Sequence, residues 1–134
     1  MRIRKPTTRW FKVPGDPDAA EIKIKALAPG DRFKIYDAAF KQEIVYNGPG
    51  DGQPSFKQIT DKETDRIETA KAVVVDWKNV FDLDDQPLDC TPENIVKAVN
   101  GIDGFMAFIR ECMTRLDEDL ADEKKDQEKN LPTT

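Results

Sequence analysis

The residues best placed to do chemistry are acidic and crowd into one bend, Asp82-Leu83-Asp84-Asp85-Gln86-Pro87. Asp82, Asp84, Gln86 and Glu93 fall at positions 1, 3, 5 and 12 of a calcium-loop template, where oxygen ligands would ring a hard cation. Position 6 of that template needs glycine for its sharp turn, and here it is Pro87, whose ring holds φ negative. The carboxylates therefore read as a solvated turn, with no metal. The chain has no histidine for general acid–base work and no glycine-rich phosphate loop ahead of a helix. Any serine or cysteine nucleophile would find only a carboxylate or a lysine as its base. Cys90 and Cys112 lack ligand-like spacing and read as buried, reduced thiols. The expectation is a non-enzymatic protein, without catalytic residues, metal or cofactor.

The bend is set between two marked elements. Behind it, Thr91 is a good N-cap, because its side-chain oxygen can accept a bond from an orphaned helix N–H. Pro92 suits the first helical position, and Glu93 places negative charge at the positive end of the helix dipole. Ahead of it, Thr60-Asp61-Lys62-Glu63 matches a capping box, and Ile67, Ala70, Val74 and Trp77 follow at helical spacing. These signals predict a helix from Asp61 to about Lys78, with the branched run Val73-Val74-Val75 as its weak point. The stretch from Asp76 to Val99 then forms a helix–loop–helix corner pinned by Trp77, Val80 and Phe81, with Thr91, Pro92, Glu93 and Asn94 opening its second arm.

Other elements complete an α+β chain: a small N-terminal antiparallel hairpin or sheet packed with about three helices. Arg9 to Val13 reads as a strand, Pro14-Gly15-Asp16-Pro17 as a turn, and Glu21 to Leu27 alternates as a half-buried second strand. Asp31 to Phe40 fits a strand or a helix; Phe33, Tyr36 and Phe40 at helical steps, with the poor strand formers Asp37-Ala38-Ala39, favour the helix. Gln42 to Tyr46 reads as a third strand and Asn47 to Ser55 as an exposed loop. A helix is expected over Pro92 to Asn100, with Gly101 as its C-cap. Asp103 is placed to cap another, whose stripe is Phe105, Phe108, Ile109, Cys112, Leu116 and Leu120. One domain over 1–121, β-rich to 56 and helical from 57, is followed by a charged segment, 122–134, read as a solvated helix end or a disordered tail.

Composition limits the partners. Of 134 residues, 35 % are charged and 38 % apolar, enough for one modest core. A formal charge of -5 argues against nucleic acid, whose phosphates demand a basic face. The exception is the N-terminal arm, where Arg2, Arg4, Lys5, Arg9 and Lys12 surround Trp10 and Phe11; a solvated terminus is the preferred reading. No apolar run approaches membrane-spanning length, and no apolar stretch behind the first basic residues makes a secretory signal.

Trp77-Lys78-Asn79-Val80, the acidic turn, Pro87-Leu88 and Cys90-Thr91-Pro92-Glu93-Asn94 together resemble the signature of tail assembly chaperones of long-tailed bacteriophages and prophages. In that family a helix ends in a tryptophan, an acidic turn follows, and a Thr/Ser-Pro-Glu-Asn start opens the next helix. Ile22 to Leu27 followed by Pro29-Gly30 is similar to the family's early strand-then-helix segment. About twenty residues match well and about ten more loosely. Where family members commonly place glycine in the turn, this chain has Asp84-Asp85-Gln86-Pro87. The resemblance implies a non-enzymatic protein of the bacterial host cytoplasm. Such a protein binds the long, coiled-coil-prone tape measure protein, with the tail tube protein as a further candidate partner, and keeps it soluble until the tube polymerises. It also implies absence from the finished particle, and commonly a longer form made by frameshifting. Phe105, Met106, Phe108, Ile109 and Met113 offer more apolar surface than one stripe needs and are the candidate partner-binding residues, against the alternative that they fill the core. Assembly with further copies of the chain stays open. Two other functions stay open too: a structural tail or head–tail connector component, and a nucleic-acid-binding regulator using the basic arm.

Overall fold

A computed structural model describes residues 1–3, 5–46 and 54–129, with side chains over 1–3, 5–40 and 60–126. Its elements run β1 (Thr8–Lys12), β2 (Glu21–Lys25), α1 (Pro29–Ala39), β3 (Phe40–Tyr46), β4 (Pro54–Thr60), α2 (Lys62–Val73), β5 (Val74–Lys78), α3 (Pro92–Gly101) and α4 (Phe105–Lys129). The arrangement is α+β, with four helices among the described residues. β2 is the middle strand of an antiparallel sheet ordered β1-β2-β5. The predicted hairpin forms, pairing Trp10 with Lys23 and Phe11 with Ile22. The alternation in β2 does what period-two patterning requires: Ile22 and Ile24 are buried, and Glu21, Lys23 and Lys25 face the other side.

The largest departure from the sequence reading is at Val73-Val74-Val75. The helix stops at Val73, and β5 starts without a loop, the N–H of Val74 donating to Ala70 O as the chain extends. Branched side chains lose rotamer freedom in a helix and suit a pleated surface, and the open edge of β2 supplies partners for the freed backbone groups. Trp77 therefore stands on a strand opposite Ile22, not at a helix end. Asp76 pairs with Lys23 and Val74 with Ile24, so Val75 is an inserted residue left outside the register. That bulge is what turns both Val74 and Trp77 inward while Val75 is exposed.

Smaller corrections follow the same physics. Asp61, rather than Thr60, caps α2, its carboxylate accepting from the N–H groups of Glu63 (3.1 Å) and Thr64 (3.2 Å). α1 is a helix as preferred, but it buries Ile35 and Ala39, leaving Phe33 and Tyr36 exposed. At its start the Asp31 carboxylate accepts from Ala28 N–H (3.0 Å), and this bond, with Lys25 at 3.5 Å, holds Asp31 below the usual carboxylate range. Gly101 is the last residue of α3, not a left-handed cap; the positive φ falls at Gly104 (+74°), just before α4. β3 is present and pairs antiparallel with β4, a strand the sequence reading did not assign. The expected loop over Asn47 to Ser55 lies outside the described residues except for its last two, which open β4.

One core holds the sheet to the helices. Phe11, Ile22, Ile24, Val74 and Trp77 from the sheet meet Ala70 and Val73 of α2, Ile95, Ala98 and Val99 of α3, and the inner stripe of α4. That stripe is largely the predicted one: Phe105, Ile109, Cys112 and Leu116 are buried, with Phe108 and Leu120 partly so. Arg9–Asp119, Arg32–Asp117 and Arg110–Asp65 tie α4 to β1, α1 and α2. All are half exposed, so each adds between about 0 and 1 kcal/mol. α4 continues through the charged stretch to Lys129, with 121–126 exposed.

Candidate partner-binding site

The corner between β5 and α3 is built by one small hairpin. Leu88 N–H donates to Val80 O (2.8 Å) and Asp82 N–H to Gln86 O (2.9 Å), with Phe81 bridged to Pro87. Asp82 organises the tip, its Oδ1 accepting from Asp84 N–H and Gln86 N–H, each at 2.9 Å. The carboxylate that would have been the first ligand of a calcium loop is thus a turn former. Among the described residues no three Asp, Glu, Cys or His side chains are grouped to hold a metal ion. Asp85 takes the positive φ (+57°) that closes the tip, a conformation Asp and Asn tolerate better than most.

The inner side of the hairpin is sealed. Trp77 is 6 % exposed, donates from Nε1 to Leu88 O (2.7 Å), and meets Phe105 edge-on with ring centroids 6.5 Å apart. On the far side Thr91 Oγ1 accepts from Asn94 N–H (3.2 Å), Pro92 occupies the first turn, and Asn94 Nδ2 donates to Asp89 O (2.8 Å). Asn94 thus locks the loop to the helix start, which explains asparagine there as well as the cap itself. Trp77, Thr91, Pro92 and Asn94 hold this corner together in a strand–hairpin–helix setting, with Glu93 in the first turn of α3.

The outer side is open. Phe81 is 38 % exposed, Ile102 42 %, and Leu83 is fully exposed at 103 %. Phe81 therefore does not share Trp77's buried role. Phe81, Asp82 and Ile102 line both of two hollows, the two apolar side chains forming the ridge they share. The first, about 310 Å³, lies toward the β1–β2 turn and α4, with Val13, Phe105 and Phe108 among its apolar lining. The second, about 490 Å³, lies against the end of α3 and includes Leu83, Leu88 and Ala98. The β1–β2 turn is drawn to this place by Asn79, which has φ +60° and donates from Nδ2 to Ala19 O (3.1 Å). It brings Asp16 and Asp18 to a wall that already holds Asp82, Asp85 and Asp103.

Of the five apolar residues predicted to meet a partner, Phe105, Met106 and Ile109 are buried in the core. Phe108 is partly buried and borders the first hollow, and Met113 is partly buried in a separate cleft of about 250 Å³ between α1, α2 and α4. Leu83 and Ile102 were not singled out in the sequence. The signal is an apolar residue with no stripe to join, Leu83 isolated among aspartates and Ile102 between Gly101 and Asp103. The basic N-terminal face is partly self-satisfied: Lys78 Nζ stands 4.4 Å from the centre of the Trp10 ring and Lys23 Nζ 5.9 Å, so cations of the chain itself already occupy it. Burial, and for Cys90 also Asp76, pushes both thiols up to about 11, which leaves neither a thiolate at neutral pH.

The described fold, then, is a small α+β protein with a folded elbow and an open apolar outer face. The chain belongs to the YdaY prophage protein family, whose model matches residues 41–130 and so covers β3 through α4. No curated protein and no solved structure matches it. Among the described residues no helix is long and apolar enough to cross a membrane.

Proposed function

We propose that this prophage protein is a tail assembly chaperone, which binds the tape measure protein and keeps it soluble while the tail tube assembles. The observation carrying this reading is the elbow: tryptophan, acidic hairpin and Thr-Pro-Glu-Asn helix start fold as one unit, sealed inside and apolar outside. The strand before the hairpin departs from the helix that the family resemblance implied, so the support lies in the order of these parts and in prophage membership. On this reading the protein is not an enzyme, needs no cofactor and works in the host cytoplasm. Its carboxylates shape turns and line a groove, and both thiols stay protonated.

Co-expression with the tape measure protein of the same prophage tests it. The soluble fraction of that partner is expected to rise, and the protein is expected to be missing from purified particles by mass spectrometry. An unchanged soluble fraction contradicts the chaperone reading; stoichiometric presence in particles points instead to a connector.

A further inference from the structure

We propose that the two hollows flanking Phe81 and Ile102 form one docking groove for a basic amphipathic helix of a partner protein. The inference deepens the function proposed above, and rests on it only for the partner's being a tail protein. Two adjoining apolar hollows with one ridge between them suit apolar side chains spaced along one face of a helix, where residues three and four apart are neighbours. Phe81, Leu83 and Ile102 are exposed without the partner and would be covered with it. The rim decides the occupant's charge. Asp16, Asp18, Asp82, Asp85 and Asp103 line the first hollow, with no lysine or arginine around it among the described residues, and the second adds Asp84 against one cation, Lys97. A helix flanked by Lys and Arg is drawn in, and one flanked by Glu is repelled.

Three of these aspartates can be neutralised without disturbing the fold. Asp16 and Asp82 accept backbone hydrogen bonds and must stay. Asp18, Asp85 and Asp103 hold no such bond among the described residues, and asparagine tolerates the positive φ of Asp85.

The probe is a fluorescent helical peptide of about 18 residues with leucines on one face and lysines beside them, titrated with the full chain at low salt. Two controls replace its lysines by glutamate or its leucines by glutamine. Binding is expected for the lysine peptide alone. The Asp18→Asn, Asp85→Asn, Asp103→Asn triple variant is expected to weaken it by about tenfold or more with an unchanged melting curve, and Ile102→Gln to weaken it at any salt concentration. Equal binding of the lysine and glutamate peptides, or an unaffected triple variant, overturns the proposal. So does a concentration-dependent dimer that vanishes when residues 1–5 are removed, because the basic arm of a second copy would then be the occupant. If peptide binding follows the groove but the tape measure protein stays insoluble, the chaperone reading fails alone. If the triple variant and Ile102→Gln still solubilise it fully, the groove fails alone.

Discussion

Trp77 and Phe81 are large aromatics on the same short stretch, and the hairpin sends them to opposite environments. Trp77 is closed between the sheet, Leu88 and Phe105, with its indole N–H satisfied. Phe81 forms the ridge of an open face with Ile102. The inner side shows what the elbow needs in order to exist, and the outer side shows apolar surface that folding alone does not use. Separating these two demands is the way to distinguish a binding surface from a structural corner.

Substitution on the inner side should cost most. Trp77→Ala is expected to lose about 3–5 kcal/mol in urea unfolding, through the cavity and the orphaned Leu88 carbonyl. A loss near zero would mean that the ring is not closed in as described. Thr91→Ala removes the acceptor for Asn94 N–H and should cost about 1 kcal/mol by the same measurement. Leu83→Ser, on the outer tip, should change stability by less than about 0.5 kcal/mol while weakening partner binding. A large stability loss there would make the outer face structural after all.

Alkaline unfolding sharpens the picture of the thiols. Cys90 and Cys112 ionise near 11 in the folded chain, against 9.0 ordinarily, so as pH rises the unfolded chain releases these protons first. Their contribution is full below about pH 9 and is lost between pH 9 and 11. Thermal melts should show the melting temperature falling in that window, with a smaller fall in Cys112→Ala. An identical pH profile for that variant would show that Cys112 is not the titrating group.

Much of this architecture was legible because short-range patterns carried it. Ile22 and Ile24 alternate, Thr91-Pro92 caps a helix, and the α4 stripe repeats at helical spacing. The errors arose where a distant partner decided. Val74 to Lys78 continue a helical pattern and become a strand because β2 offers an edge. In α1 the aromatics Phe33 and Tyr36 looked like the buried face, yet the smaller Ile35 and Ala39 pack inward. The elbow's residues were legible, but its groove was not. Asp16 and Asp18 reach it through the Asn79–Ala19 hydrogen bond, across a separation of 60 residues. No local pattern encodes such a meeting.

Hydrogen–deuterium exchange of the chain with and without the tape measure protein tests the central claim most directly. Binding at the outer face of the elbow predicts new protection over residues 80–88 and 100–105, with β1 unchanged. Protection confined to β1 and the N-terminal arm, with the hairpin unaffected, would contradict it.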